Sequence, residues 1–369
     1  MKPFATGLVV GKFAPLHCGH EKLINTALAQ CEELFIISYS VPEMPDCEPE
    51  KRLTWLQVRF PQATFLVLTP ELVARYNLPA IPHNNADADI HRHYVATLCL
   101  QILRCRPHAV FTAEDYGDGF ANVLARRFAQ PVEHVRTTLA GTPLQRPMAR
   151  PVGDEAPSGT LIRSDVHRYR YMLANDVYYS FVRRICLLGG ESTGKSTLSK
   201  ALAGVLDTVY VAEFGRDYWE EKNGILTADD LLHIACEQVR REQQAEANHY
   251  LICDTSPLTT LFYALDQYGH APQELHQLAE REYSLVVLCG AEFPFVQDGT
   301  RQGEVFRARQ QINRCGMNRN CRAGTFLIFR FRGHCKSEWS KFFANFPTDF
   351  EHPLDLRLLP VYCGLTTCP

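Results

Sequence analysis

The chain has 369 residues, 46% of them hydrophobic, and a formal net charge of −3, enough for two domains of about 150 residues with a core in each. Near-neutrality excludes the global basic field of a nucleic-acid-coating protein, so a phosphate ligand has to be met by local cations. The apolar run within residues 1–10 is too short for a signal peptide, and no stretch approaches the ~18 apolar residues of a membrane span, which predicts a soluble, cytoplasmic protein with no membrane insertion.

The fourteen cysteines include no C-x-x-C pair, and Cys186, Cys253 and Cys289 lie in apolar, strand-like runs; they read as reduced core residues. In chain order, Gly7 to Val10 predict a strand. Gly11, Lys12, Phe13, Ala14, Pro15, Leu16, His17, Cys18, Gly19 and His20 then lead into a helix carrying Leu23, Ile24, Ala27, Leu28 and Cys31. H-x-G-H at a strand-to-helix junction places two imidazoles beside a helix N-terminus at the mouth of a parallel sheet, where both can donate to phosphate oxygens. The competing reading of a lone H-x-G-H makes His17 a helix cap and His20 a surface residue. GKFAPLHCGH resembles the signature of the nucleotidyltransferase superfamily. That resemblance implies that His17, His20 and Lys12 stabilise charge developing during attack on an α-phosphate, with Gly11 and Phe13 beside the nucleotide.

Leu34 to Ser40 predict a buried strand, Glu48 to Trp55 the start of a helix containing Arg52, and Phe65 to Leu68 a further strand. Residues 69–90 read as a Pro- and Asn-punctuated loop, His91 to Leu103 as a helix, and Ala109 to Ala113 as a strand. The Glu114–Gly119 stretch reads by itself as a solvated turn. VFTAEDYGDGFA resembles the corresponding segment of NadR-type nicotinamide mononucleotide (NMN) adenylyltransferases, which implies nucleotide contacts for Thr112 and Tyr116. Ser158, Gly159, Thr160, Leu161, Ile162 and Arg163 resemble the second superfamily signature, ISGTxIR. There Ser158, Gly159 and Thr160 would hold the pyrophosphate leaving group, with Arg163 as its main side-chain cation. Pro157 stands where that signature has Ile or Val. Residues 136–157 have no periodicity and read as an inserted loop or a local corruption of the sequence. Asp165 to Phe181 predict a helix with an aromatic stripe used in packing.

Ile185 to Leu188 form a short apolar run leading into Gly189, Gly190, Glu191, Ser192, Thr193, Gly194, Lys195 and Ser196, a match to G-x-x-x-x-G-K-S/T at every fixed position. The apolar residues Leu198, Ala201, Leu202, Val205 and Leu206 follow at helical spacing, so the P-loop has its strand before it and its helix after it. Backbone amides and the helix N-terminus would cradle phosphates, with Thr197 just beyond them; Lys195 would reach the β and γ phosphates and Ser196 would hold Mg²⁺. Val209 to Ala212 predict a strand ending at Glu213, and 229–248 a long helix. The strand Tyr250 to Cys253 ends at Asp254, a Walker B arrangement that makes Asp254 the second Mg²⁺ residue; the bland alternative is a helix cap. Glu213 and Asp217 are alternatives for a ribose contact or for taking the proton of an attacking hydroxyl. Ser284 to Cys289 form another strand, and Arg301 falls where a kinase lid would lie. LLGGESTGKSTL, VAEFGRDYW, CDTSPLTT and FVQDGTR together resemble the ribosylnicotinamide kinase domain of NadR-type bifunctional proteins.

The predicted fold is α/β: two doubly wound parallel-sheet domains, a Rossmann-like nucleotidyltransferase (1–180) followed by a P-loop kinase (181–311). The tail, 312–369, shows no clear amphipathic helix and reads as the product of a slipped frame near Gln311. The resemblance implies two activities on ATP with Mg²⁺: adenylyl transfer to NMN giving NAD and pyrophosphate, and phosphorylation of ribosylnicotinamide to NMN. It implies no DNA partner, since the first motif begins at Gly11, and leaves homo-oligomerisation open. Competing readings are a riboflavin kinase/FAD synthetase-like enzyme and a non-catalytic NAD-sensing regulator.

Overall fold

The computed structural model describes residues 2–114, 116–138, 156–290, 303–308 and 325–329. The chain divides into two units, Met1–Phe181 and Val182–Pro369, each built on one five-stranded, wholly parallel sheet. Parallel strands are covered on both faces, so they read as continuous apolar runs, and the connecting helices carry the polar surface. Among the described residues no helix is long and apolar enough to cross a membrane, and all nine described cysteines are free.

In the first unit, strands β1 (Phe4–Gly11), β2 (Cys31–Ser38), β3 (Thr64–Val67), β4 (Ala109–Thr112) and β5 (Glu133–Arg136) lie in the order β3-β2-β1-β4-β5. The chain builds outward from β1 to β3, then returns to β4 on the other side. A crevice therefore opens beyond the carboxyl ends of β1 and β4, the place where doubly wound sheets bind ligands. Helix α1 (Cys18–Gln30) follows β1. It ends one residue earlier than the periodicity predicts, because Cys31 turns extended (φ −115°, ψ 144°) and opens β2 with no intervening loop.

Helix α2 (Pro49–Arg59) begins one residue after the predicted start, Glu48 being its N-cap residue. The predicted loop 69–90 contains a helix, α3 (Pro70–Arg75), because Thr69 accepts the Leu72 N–H and Pro70 suits a first helical position. Helix α4 (Ala88–Leu98) passes into a π-helical turn, Cys99–Leu103, and stops at the left-handed Arg104. The Glu114–Gly119 turn is shorter than expected, since Gly117–Gly119 already belong to α5 (Gly117–Phe128); Asp115 lies outside the described residues.

The second signature opens α6 (Gly159–Ser164). The single helix predicted over 165–181 does not form: a 3₁₀ turn at Arg170–Met172 and a short α7 (Asn175–Tyr179) replace it. Leu173 and Ala174 are extended between them. Aromatic burial wins over helical periodicity, with Tyr171, Met172, Leu173, Val177 and Tyr178 all in the core.

In the second unit, β6 (Arg183–Gly189), β7 (Tyr210–Val211), β8 (Tyr250–Asp254), β9 (Leu285–Cys289) and β10 (Thr325–Phe329) lie in the order β10-β9-β6-β8-β7. The P-loop strand β6 is central, and every residue from Ile185 to Gly189 is buried. Helices α8 (Lys195–Val205), α9 (Phe214–Glu221), α10 (Ala228–Gln244), α11 (Pro257–Tyr268) and α12 (Gln273–Ala279) connect the strands. The predicted 229–248 helix ends at Gln244, where Ala245 turns extended. From the tail comes β10, parallel to β9 in the register Thr325↔Leu285 to Phe329↔Cys289. The rest of the tail, and most of 136–157, lie outside the described residues.

Candidate active sites

The P-loop closes around its own backbone. Gly189 has φ +153°, and a Cβ there would come within 2.7 Å of the Cys289 carbonyl oxygen, so only glycine lets β6 pass this close to β9 before turning. Gly194, at φ 81°, is the N-cap of α8, and Ser192 takes a left-handed conformation at φ 60° between them. Thr193 Oγ1 donates to the Gly190 carbonyl at 2.8 Å and Lys195 Nζ donates to the same oxygen at 3.0 Å. The ammonium is thus held over the loop whose amides precede the helix N-terminus, a positive cradle of the kind that binds phosphate.

Asp254 ends β8, on the strand next to the P-loop, and is 2% exposed. Burial pushes its carboxyl up, opposed by the Lys195 charge and by a hydrogen bond from the Ser196 hydroxyl. Its Oδ1 has no hydrogen-bond partner. Asp254 does not cap the following helix, whose N-cap is Ser256. A buried carboxylate oxygen without a partner, beside a P-loop hydroxyl, fits a hard divalent cation such as Mg²⁺. Such an ion takes one or two protein ligands and completes its shell with phosphate and water oxygens. Among the described residues no cluster of three His, Cys, Asp or Glu offers an alternative metal site.

Of the P-loop, Gly189, Ser192, Thr193, Gly194, Lys195 and Ser196 line a cavity of about 310 Å³ together with Glu191, Thr197, Glu213, Arg216, Trp219 and Gln238. Of the two acidic alternatives after β7, Glu213 lines this cavity, whereas Asp217 is exposed with Arg241 Nη1 3.9 Å away. Arg301 lies outside the described residues. Arg216 and Trp219 fall in the VAEFGRDYW segment without a role assigned to them there, and Gln238 falls in no motif; its one available signal was a glutamine on the inward stripe of α10.

In the first unit His17 takes the helix-cap role that the sequence offered as one of its alternatives. Its ring caps α1, accepting the His20 N–H at 3.4 Å, while His20 Nδ1 accepts the His17 N–H at 3.5 Å, a capping box made of two histidines. The same bonds stack the rings, centroids 3.7 Å apart, at the end of β1. Burial first and the Arg163 charge second push His17 down to about 4. Burial, then His17, holds His20 well below its ordinary value, and burial with Arg163 lowers Lys12.

Arg163 reaches this point from 149 residues away. One guanidinium nitrogen donates to the Ala14 carbonyl and the other to Thr160 Oγ1 at 3.2 Å. Ser158 caps α6 by accepting the Leu161 N–H at 3.1 Å. Gly159 lies so close that a Cβ would stand 3.0 Å from the Ala14 oxygen. The two signatures therefore meet, and burial first, with the Arg163 charge behind it, lowers the proton affinity of Lys12, His17 and His20 around one crevice. A polyanion would offset the Arg163 charge at this crevice.

Two candidate contacts take other roles. The Phe13 ring is fully buried, under Gly11 and edge-on to His20 at 5.0 Å, so it wedges the histidine and leaves only its backbone for a ligand. The Thr112 hydroxyl is committed to the Glu114 carbonyl at 2.8 Å and His134 Nε2 at 2.9 Å. Tyr116 is 45% exposed at the start of α5, its carbonyl accepting from Arg92 at 3.2 Å. Arg52, which the sequence placed only on a helix, is fully buried. It pairs with both Glu43 oxygens at 2.8 Å and donates to the Lys12 carbonyl at 3.2 Å, fixing the backbone from which Lys12 projects.

The fold and the two crevices define a two-unit α/β protein with a P-loop nucleotide site in its second unit. A family model described as an AAA domain matches residues 184–321, so the match runs past β9 into the tail. The chain is homologous to the trifunctional NAD biosynthesis/regulator protein NadR of Escherichia coli. It is 28% identical over 320 residues, which cover 80% of this chain and 71% of that protein. Identity to the NadR of Salmonella typhimurium is also 28%, over 316 residues with the same coverage of both chains. In fold it is similar to crystal structures of NadR in complex with NR, TM-score 0.53 at 19% identity over 90% of each chain, and with NAD and AMP-PNP, TM-score 0.54 at 17% identity over 93% of this chain and 96% of that one.

Proposed function

We propose that the protein makes NAD in two ATP-dependent steps, one on each unit. In the first unit the phosphate of NMN attacks the α-phosphorus of ATP in line. Lys12, His17, His20 and Arg163 stabilise the charge that spreads over the transferring and leaving oxygens. Pyrophosphate departs toward Ser158–Arg163. Electrostatic stabilisation by fixed donors supplies most of the acceleration, with little left for proton transfer because the nucleophile is already an anion.

The second unit phosphorylates the 5′-hydroxyl of ribosylnicotinamide to the NMN that the first consumes. Lys195 and the loop amides grip the β and γ phosphates, and Glu213 accepts the hydroxyl proton from its place in the cavity wall. Asp254 and Ser196 would hold Mg²⁺, which would supply charge neutralisation on the phosphates.

The observation that supports this reading most directly is that a P-loop crevice and an opposed-signature histidine crevice occur on one chain homologous to NadR. Incubation with Mg·ATP and NMN, and separately with ribosylnicotinamide, followed by chromatography for NAD and NMN, tests it. Lys195→Ala is expected to abolish only NMN formation and His20→Ala only NAD formation. Loss of both products in either variant would refute independent sites.

A further inference from the structure

Helix α10 turns Leu231, Ile234, Ala235 and Val239 inward, and Gln238 interrupts that stripe at 2% exposure. Its Oε1 accepts the Phe214 N–H at 3.0 Å. Only the carbonyl end of an amide can accept from an N–H, so this bond settles which way the side chain is turned. Nε2, carrying two donors, is the opposite end, and it has no partner. Buried polar groups are normally satisfied. Gln238 nevertheless lines the cavity that the P-loop opens into, among Trp219, Leu226, Leu231 and Ile234. Those walls come from α9, α10 and the turn between them, which follow β7, so they lie on the β8–β7 side of the sheet, away from β9. The polar lining nearer the end of β7 is Glu213 and Arg216.

We propose that Gln238 is the specificity-determining donor of the phosphoryl-acceptor site. Its Nε2 donates to a carbonyl oxygen carried by the flat base of a nucleoside, whose ring packs against Trp219 and the aliphatic wall. The sugar and its reacting hydroxyl then lie toward Glu213 and the P-loop. This assignment rests on the kinase reading of the second unit and adds to it which atom of the base is recognised. A buried donor that a substrate carbonyl satisfies rejects the analogue lacking that acceptor, because the amide would then stay buried and unpaired.

Two variants and one substrate pair test it. Gln238→Glu keeps an oxygen for the Phe214 N–H while exchanging the donor for a carboxylate, and Gln238→Met removes the donor without adding charge. The pair is ribosylnicotinamide and N-ribosylpyridinium, identical except for the carboxamide, so any attraction of the new carboxylate to the pyridinium charge cancels in their ratio. The wild-type protein is expected to prefer ribosylnicotinamide by about tenfold or more in KM, with the preference collapsing toward unity in both variants and KM for ATP unchanged. An undiminished preference in both variants overturns the assignment. Should the wild-type protein phosphorylate neither compound, the kinase reading falls, and Gln238 is judged by Trp219 fluorescence titrated with inosine and with purine riboside, which lacks the 6-carbonyl. Tighter binding of inosine that is lost in Gln238→Met supports the donor; equal binding, no binding, or a preference untouched by the variant overturns it.

Discussion

Binding of a polyphosphate to the first unit should be coupled to protonation of His17. In the free protein His17 is 4% exposed, and burial, with Arg163 behind it, brings its pKa from 6.5 down to about 4. It is therefore neutral at neutral pH, with Nδ1 accepting the His20 N–H. The proton of the neutral ring must then sit on Nε2. An anion in the crevice offsets the Arg163 field and favours the imidazolium, so the bound-state pKa rises. A group whose pKa rises on binding strengthens binding as the pH falls. If the bound value returns to about 6.5, lowering the pH from about 7.5 to about 5.5 tightens binding by about tenfold, or ~1.4 kcal/mol. Calorimetry with pyrophosphate would measure this in a Lys195→Ala background, which removes the P-loop's ammonium from the comparison. Pyrophosphate titrates in the same range, so the informative quantity is the difference from a His17→Asn protein, in which a capping side chain remains and nothing titrates. The same pH dependence in both proteins would refute the argument.

Without ligand the linkage runs the other way for stability. His17's lowered folded-state pKa contributes stability that is present above about pH 6.5 and is lost as the pH falls toward 4, by at most about 3 kcal/mol; acid titration of the melting temperature, compared with His17→Asn, reads it. Asp254→Ala should reduce the Mg²⁺-dependent rate of NMN formation by about two to three orders of magnitude and abolish the shift in melting temperature that Mg·ATP gives the second unit. Chelation of Mg²⁺ should reproduce that effect on the wild-type protein and leave Asp254→Ala unchanged. Arg52→Met should destabilise the first unit by about 1–3 kcal/mol, since Glu43 keeps part of its solvent and only the Lys12 carbonyl and Ser38 lose a buried donor. It should also raise KM for ATP in NAD formation. Gly189→Ala should destabilise the second unit by roughly 2 kcal/mol or more in denaturant titrations, because of a positive φ and a Cβ facing the Cys289 carbonyl oxygen.

Much of this protein was legible from local pattern. The strand–G-x-x-x-x-G-K-S/T–helix run could be recognised unaided because every residue that shapes a P-loop is contiguous, and β6, the loop and α8 follow one another over residues 183–205. Most strands of both sheets were visible as apolar runs for the same reason, buried parallel strands having no polar face to confuse the pattern; β5, which reads Glu-His-Val-Arg with both ends exposed, was not. Local pattern failed where a side chain chose between equal local options. Thr69 made a helix out of a stretch that read as loop, and burial of Tyr171, Leu173 and Tyr178 broke a helix that periodicity supported. Strand β10 was hidden in a tail with no helical pattern, its pairing with β9 being a contact about 40 residues away in the chain.

The amino-acid order by itself determined the two parallel α/β units, the P-loop with Lys195 and Ser196, and the two histidines beside a helix start, because all of these depend on neighbours within a few residues. Only the tertiary structure decided that Arg163 closes on Ala14, that Arg52 holds Lys12 in place, that Glu213 rather than Asp217 faces the cavity, and that Gln238, its amide nitrogen buried and unpartnered, lines it. Those facts depend on which distant segments the sheet order brings together and on what burial then does to their charges and donors, and neither quantity is a property of any single stretch of chain.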